Sequence, residues 1–253
     1  MLPYLVSLMK SSAENLSLRQ YQSPCILSKQ TIMTIKQAIL CALLLTKSIL
    51  GFTQSSDFGN WLIYFGDKKI NSKWNWHNEV QYRNFNFIAD TEQLLLRTGI
   101  GYNLSENNNN LLLGYAFIYS EPYVVSKDQK TNFNEHRLYQ QFITRQSFGR
   151  ISFLHRYRFE QRFFENDFRL RLRYFLGLNL ALNKKQMQNK TAYLSIYNEI
   201  FLNTNANYFD RNRIYCGIGY RFSKTVRSEV GIMNQSLLNS ARNQLNIMTF
   251  VNF

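Results

Sequence analysis

Proline is nearly absent, three residues in a chain of 253. Proline removes a ladder hydrogen bond and is confined to strand edges and bulges, so its scarcity leaves extended segments uninterrupted. Cysteine is equally scarce, with Cys25, Cys41 and Cys216 only, too few for a disulfide-stapled scaffold. The three histidines, His77, His136 and His155, lie far apart, and no Cys/His metal-ligand spacing occurs; neither a metal nor a cofactor is expected. No repeat at a solenoid period stands out, and the low-complexity stretch Asn107 to Asn110 reads as a turn. What is plentiful is aromatic: 20 Phe, 16 Tyr and 3 Trp, residues that favour strands. A chain that is 45% hydrophobic yet carries a formal charge of +14 is neither disordered nor a helical membrane protein.

Long apolar runs are missing too, with one short exception in "MTIKQAILCALLLTKSILGFTQ", which begins at Met33. Lys36 gives a positive start, Ala38 to Leu45 an apolar run, and Gly51-Phe52-Thr53 a small-residue exit. The run is too short to cross a bilayer as a helix and has the profile of a secretory signal peptide, expected over 33–53. Residues 1–32 read as neither signal nor domain, so translation is expected to begin at Met33. Cys41 follows Leu40 rather than a small residue, which argues against a lipoprotein signal. Loss of residues 1–53 takes five of the 30 Lys/Arg, one of the 16 Asp/Glu, and two of the three cysteines, leaving a formal charge of +10 and Cys216 alone.

After Gln54 the 3.6-residue period almost disappears and period two takes over. Strands are predicted over 58–66, 73–85, 92–104, 111–121, 134–148, 150–164, 167–183, 191–203, 210–222, 225–236 and 243–253. Many exceed the usual globular strand length and suit a tilted crossing of an outer membrane. The two faces differ in kind. Leu94, Leu96, Ile100 and Tyr102 oppose Arg97, Gly99 and Gly101; Ile214, Cys216 and Ile218 oppose Arg213, Gly217 and Gly219. The polar face is made of Arg, Glu, Tyr, Gln and Gly rather than Lys, as suits a crowded interior. Trp61, Trp74, Trp76, Tyr119, Tyr123, Tyr220 and Phe222 lie near strand ends, as in interfacial girdles. The expectation is all-β: one closed antiparallel transmembrane β-barrel over 54–253, with about 10–12 strands. Eleven candidates conflict with the even number normal for bacterial barrels, so 58–66 is expected to be partial or one segment miscounted.

The densest polar sequence is "HRYRFEQRFFENDFRLRLRYFLGLNL", His155 to Leu180. Arg156, Arg158, Glu160 and Arg162 share one face, and Arg169, Arg171 and Arg173 share a face of the next strand. Arg97, Glu199, Arg213, Arg221, Arg227 and Glu229 fall on polar faces as well, as do Glu79, Arg83, Arg137 and Arg145. Such charges are costly in hydrocarbon and are expected to point into the lumen. There they form either a salt-bridge network that fills a small barrel or an anion path; the filling role is preferred.

In "LHRYRFEQRF", in "RLRLRYFLGL" and in the first hairpin "WLIYF…KWNWHNEVQYR" the chain resembles domain-of-unknown-function family 2490, outer-membrane barrels of Bacteroidetes type, from Asp57 to Phe253. The resemblance implies fold and location: the outer membrane of a Gram-negative bacterium, reached by export, with outer-membrane lipid as surroundings. It further implies that the alternating C-terminal strand, Leu245, Ile247, Thr249, Val251 and Phe253, is read by the barrel-assembly machinery.

No enzyme is expected. An outer-membrane phospholipase would carry a His-x-Ser-Asn-Gly signature, and no histidine here has a serine two residues on. His155 falls opposite the arginine row, facing lipid, and Ser195 shares a face with Tyr193, Tyr197 and Glu199. Nucleic-acid binding is excluded because the basic charge, with a pI near 9.7, is dispersed on alternate strand positions without a Lys-rich patch. The function expected is an outer-membrane barrel with an Arg/Glu-lined lumen, structural or a narrow porin-like pore. A small-anion channel and a barrel-embedded lipid-active enzyme are the alternatives. Short links near Ser105–Asn110, Phe148–Arg150 and Ser223–Lys224 are expected on the periplasmic side, and Glu121–Asn134 and Asn203–Asp210 outside.

Overall fold

The computed structural model describes residues 58–253, apart from 88, 106–107, 125–128 and 206. The expected extension (1–32), signal segment (33–53) and residues 54–57 of the expected barrel lie outside the described residues. Among the described residues the fold is all-β, with eleven strands: β1 (Gly59–Lys69), β2 (Trp74–Asn84), β3 (Thr91–Asn103), β4 (Asn109–Ser120), β5 (Phe133–Phe148), β6 (Ile151–Phe163), β7 (Phe168–Ala181), β8 (Thr191–Asn203), β9 (Phe209–Arg221), β10 (Val226–Ser236) and β11 (Ala241–Asn252). Every segment of the period-two reading is a full strand, including the first, which runs three residues beyond its predicted end.

Each strand pairs with its neighbours in the chain, and β1 pairs with β11 to close the barrel. The pairs between successive strands are antiparallel, whereas β1 and β11 run parallel, from Gly59 opposite Gln244 to Asp67 opposite Asn252. This corrects the expectation of a wholly antiparallel, even-numbered cylinder. Each connection reverses the chain, so the eleventh strand points the same way as the first. A parallel ladder satisfies the backbone groups of both, and no edge remains.

β1, β3, β5, β7 and β9 end at the rim that carries Phe253, and β2, β4, β6, β8 and β10 end at the rim that carries Phe58. The tightest connection, Gly149–Arg150, needs a left-handed residue to match the twist of its strands. Gly149 provides it at φ 57°. At the Phe58 rim Lys130 and Tyr123 meet the residue before β3: Lys130 Nζ lies 2.5 Å from Asp90, and the Tyr123 hydroxyl donates to Asp90 at 2.8 Å. Desolvation works against the Lys130 ammonium, but the Asp90 and Glu121 carboxylates beside it raise its pKa above the ordinary value.

Alternation sends the two faces of the wall in opposite directions. Leu96, Ile100, Leu113, Leu138, Leu172, Ile218 and Ile232 are exposed outside, while Glu79, Arg97, Glu160, Arg173 and Glu199 are buried inside. Two apolar clusters interrupt the charged interior: Trp61, Ile63, Tyr215, Met233 and Met248 on one side, and Leu95, Leu112, Ala116, Ile118 and Tyr139 on the other. Glycine makes room for the rings. Gly114 pairs across the ladder with Tyr139 and Gly219 with Tyr193, and a Cβ at either glycine would meet the tyrosine ring.

Candidate functional site

Period two puts arginines of β6 and β7 on one face, and the hairpin register sets them level: Arg158 opposite Arg173, Glu160 opposite Arg171, Arg162 opposite Arg169. Five guanidinium groups side by side would repel, and carboxylates interleave them. Glu160 accepts from Arg171 Nη2 at 2.6 Å, from Arg171 Nε at 2.9 Å and from Arg173 Nη1 at 2.6 Å. Arg173 reaches on to Glu199, with Nη2 donating at 2.6 Å. Glu199 also takes Arg156 at 2.8 Å and has Arg213 at 3.8 Å. At the outer end of the chain, Arg171 Nη1 donates to Asp210 at 2.9 Å.

Smaller groups complete the interior. Arg97 Nη1 donates to Glu79 at 2.6 Å, and Gln81 and Arg83 continue that line. Glu135 receives Arg137, and Arg162 Nε at 2.6 Å. Glu229 receives Arg227, and the Tyr193 hydroxyl at 2.9 Å. Guanidinium planes lie over rings, where the negative π-face offsets part of their charge. Arg83 is 3.7 Å and Arg213 4.7 Å from the Trp61 centroid, Arg173 is 4.4 Å and Arg213 4.6 Å from Phe201, and Arg158 is 4.5 Å from Tyr139. These stacks and pairs satisfy one another in a space from which water is largely removed.

The filling is uneven. Toward the Phe58 rim Arg83, Ser120, Glu135, Arg137, Phe201, Arg213, Gln235 and Gln244 are all buried. Toward the Phe253 rim Lys69, Arg145 and Asn252 are exposed and Asn75, His77 and Arg221 half-buried. A cavity of about 820 Å³ opens there. A smaller one of about 210 Å³ lies in the lumen between Arg156, Arg173, Glu199 and Trp61.

Of the residues singled out in the sequence, Arg97, Arg156, Arg158, Glu160, Arg162, Arg171, Arg173, Glu199 and Arg213 share this interior. Arg227 and Glu229 form a separate pair against Phe250. Arg221 donates to the carbonyls of Met187, Ser223 and Lys224 at the mouth. Arg169 stands apart: its side chain is 56% exposed at the Phe58 rim, paired with Asp167 and 5.2 Å from the Phe164 ring. Trp61, read as a girdle residue, is 2% exposed and lies inside; its segment is apolar on both faces, so the alternation gave no direction. Glu135 belongs to the interior too, and the alternation Glu135, Arg137, Tyr139, Gln141 carries the same signal as the rows. Gln141 and Gln235, which hold Arg158 and Arg213, became visible only with the cross-strand register. Leu245, Ile247, Thr249 and Val251 face outward along β11.

On the outer wall, polar side chains pair with one another across strands. Asn198 donates to Asn212 at 2.8 Å, Asn234 to Asn243 at 2.8 Å, and Gln161 to Gln140 at 3.0 Å. The two outward histidines are bonded to tyrosine hydroxyls, His136 to Tyr115 at 2.6 Å and His155 to Tyr174 at 2.9 Å. Among the described residues no cluster of His, Cys, Asp and Glu has the makings of a metal site. Residues 58–246 match a family described as proteins of unknown function, DUF2490. No curated protein and no solved structure matches the chain.

Proposed function

The chain belongs to the DUF2490 family, and on that premise we propose that it is an integral outer-membrane barrel whose lumen is closed by packed arginine, glutamate and aromatic side chains. The observation that carries this reading is the inverted polarity of the wall. A water-soluble barrel turns its apolar face inward, whereas here charge is inside and leucine, isoleucine and valine cover the outside. Outward amides that find partners on the next strand support it further, because hydrocarbon offers no water to satisfy them. The closed lumen is supported by the burial of the Glu160 and Glu135 networks, which hold the strands in register rather than frame a passage. Export through a signal peptide and recognition of the C-terminal strand by the assembly machinery belong to the same proposal. So does an orientation with the Phe253 rim in the periplasm, since barrels keep tight turns on that side.

Alkaline carbonate extraction of expressing cells tests the location: the protein stays with the membrane pellet, and recovery in the soluble periplasmic fraction overturns the reading. Planar-bilayer recording tests the lumen: a steady open conductance overturns closure. An epitope inserted in the 121–132 connection is detected on intact cells, and one in 222–225 is not; the reverse result inverts the orientation.

A further inference from the structure

The open half of the lumen is basic beyond what its own acids neutralise. The ionisable side chains lining the 820 Å³ cavity are Lys68, Lys69, His77, Arg145, Arg156, Arg158 and Arg221, against Asp67 and Glu79. Both carboxylates are engaged, Asp67 with His77 at 3.0 Å and Glu79 with Arg97 at 2.6 Å. Arg145, Arg156 and Arg158 form a line leading inward. Arg145 lies beside Leu154, one alternate step short of Arg156, and Arg158 is one further.

All three guanidinium groups have donors to spare; Arg156 gives Nη2 to Glu199 at 2.8 Å. Arg145, exposed at the mouth, has no side-chain hydrogen bond or ion pair among the described residues. Arg158 is 3% exposed. Its Nε and Nη2 are fixed by Gln141 Oε1 at 2.8 and 2.5 Å, so Gln141 holds the fork in place. Its Nη1 has no hydrogen-bond partner, and the carboxylate oxygen of Glu160 lies 3.6 Å away. A buried N–H without an acceptor is costly, more so where seven buried arginines face five buried glutamates. An incoming oxyanion beside the guanidinium relieves the excess charge.

We propose that this chamber binds a small carboxylate- or phosphate-bearing anion between Arg158 at its inner end and Arg145 at its mouth. Planar or tetrahedral oxyanions match the open guanidinium fork of Arg145, and the closed half behind Arg158 makes the chamber a pocket with one mouth. The site rests on the closed lumen proposed above, but the two fail separately: a conducting barrel refutes closure whatever the calorimetry reads.

The test is titration calorimetry on the purified full chain in detergent micelles, at constant ionic strength in chloride, with inorganic phosphate and with succinate as probes. Saturable one-site binding of either probe is expected, and which one binds identifies the acid group. Arg145→Gln raises Kd at least about tenfold, as loss of one charge-assisted hydrogen bond requires. Arg158→Gln removes binding, and Arg169→Gln at the opposite rim leaves it unchanged. If Arg158→Gln does not give the heat-modifiable folded band, Arg145→Gln decides alone, because that side chain has no hydrogen bond or ion pair to lose among the described residues. Absence of saturable heat with both probes, or an unchanged Kd in Arg145→Gln, overturns the proposal.

Discussion

Replacing Glu160 with alanine removes the carboxylate on which the β6–β7 hairpin is centred. Glu160 is 1% exposed and accepts directly from Arg171 and Arg173, with Arg158 Nη1 at 3.6 Å. Without it Arg173 keeps Glu199 and Arg171 keeps Asp210, but Arg158 has no other ion pair among the described residues. Stranding a buried charge costs about 3–5 kcal/mol, so Glu160→Ala falls in that range. Arg171→Ala is the matched control from the other side of the pair. Glu160 then keeps Arg173, and Asp210 keeps Arg211 at 3.2 Å, so no carboxylate is stranded. The cost is that of lost charge-assisted hydrogen bonds, about 1.5–3 kcal/mol, reduced by relief of arginine–arginine repulsion. The difference, about 2 kcal/mol, moves a urea midpoint by roughly 1 M at a slope of about 2 kcal/mol/M. Tryptophan fluorescence of the refolded barrel reads it, since Trp61 lies inside the same lumen. Equal midpoints, or a larger loss in Arg171→Ala, would refute the claim that the carboxylate organises the hairpin.

Three further outcomes follow from the packing. Gly114→Val drives a methyl group into the Tyr139 ring and lowers stability by about 1–3 kcal/mol; adding Tyr139→Ala recovers part of the loss, and failure of that rescue in the same urea assay would show that the ring contact is not the cause. Leu113→Arg puts a charge on an outward position that is 62% exposed and costs about 2–4 kcal/mol if it reaches the bilayer midplane, read as lower folding yield in lipid vesicles with no matching loss in detergent. Arg169→Ala changes the urea midpoint by less than about 0.5 kcal/mol equivalent, as expected of an exposed pair; a larger change would bring the residue into the network.

The sequence made the wall legible because period two is a local property. Arg156, Arg158, Glu160 and Arg162 alternate with His155, Tyr157, Phe159 and Gln161, and nothing outside the segment is needed to sort them into two faces. Partners across strands are not local. That Glu160 meets Arg173 as well as Arg171, or that Gln141 fixes Arg158, depends on hairpin register and barrel curvature, which alternation does not contain. Trp61 shows the limit from another side: with Leu62, Ile63 and Tyr64 around it, both faces are apolar, and two arginines from β2 and β9 decide where the indole lies. Arg169 continues the row by spacing but falls beyond the last packed layer, because spacing along a strand does not say where the lumen ends. The parallel seam was implicit in the count of eleven, and the expectation of an even number set that count aside.

An odd strand count also constrains how such a barrel changes over descent. Duplicating or deleting a hairpin alters the number of strands by two and leaves parity untouched. Every barrel reached from this one by hairpin steps would therefore keep a parallel seam and carry its first and last strands out through opposite rims. Reaching an even, wholly antiparallel relative takes a change of one strand, at the seam, where β1 or β11 can be gained or lost without inverting the rest. Parity is thus a binary character of the fold that changes only at this seam.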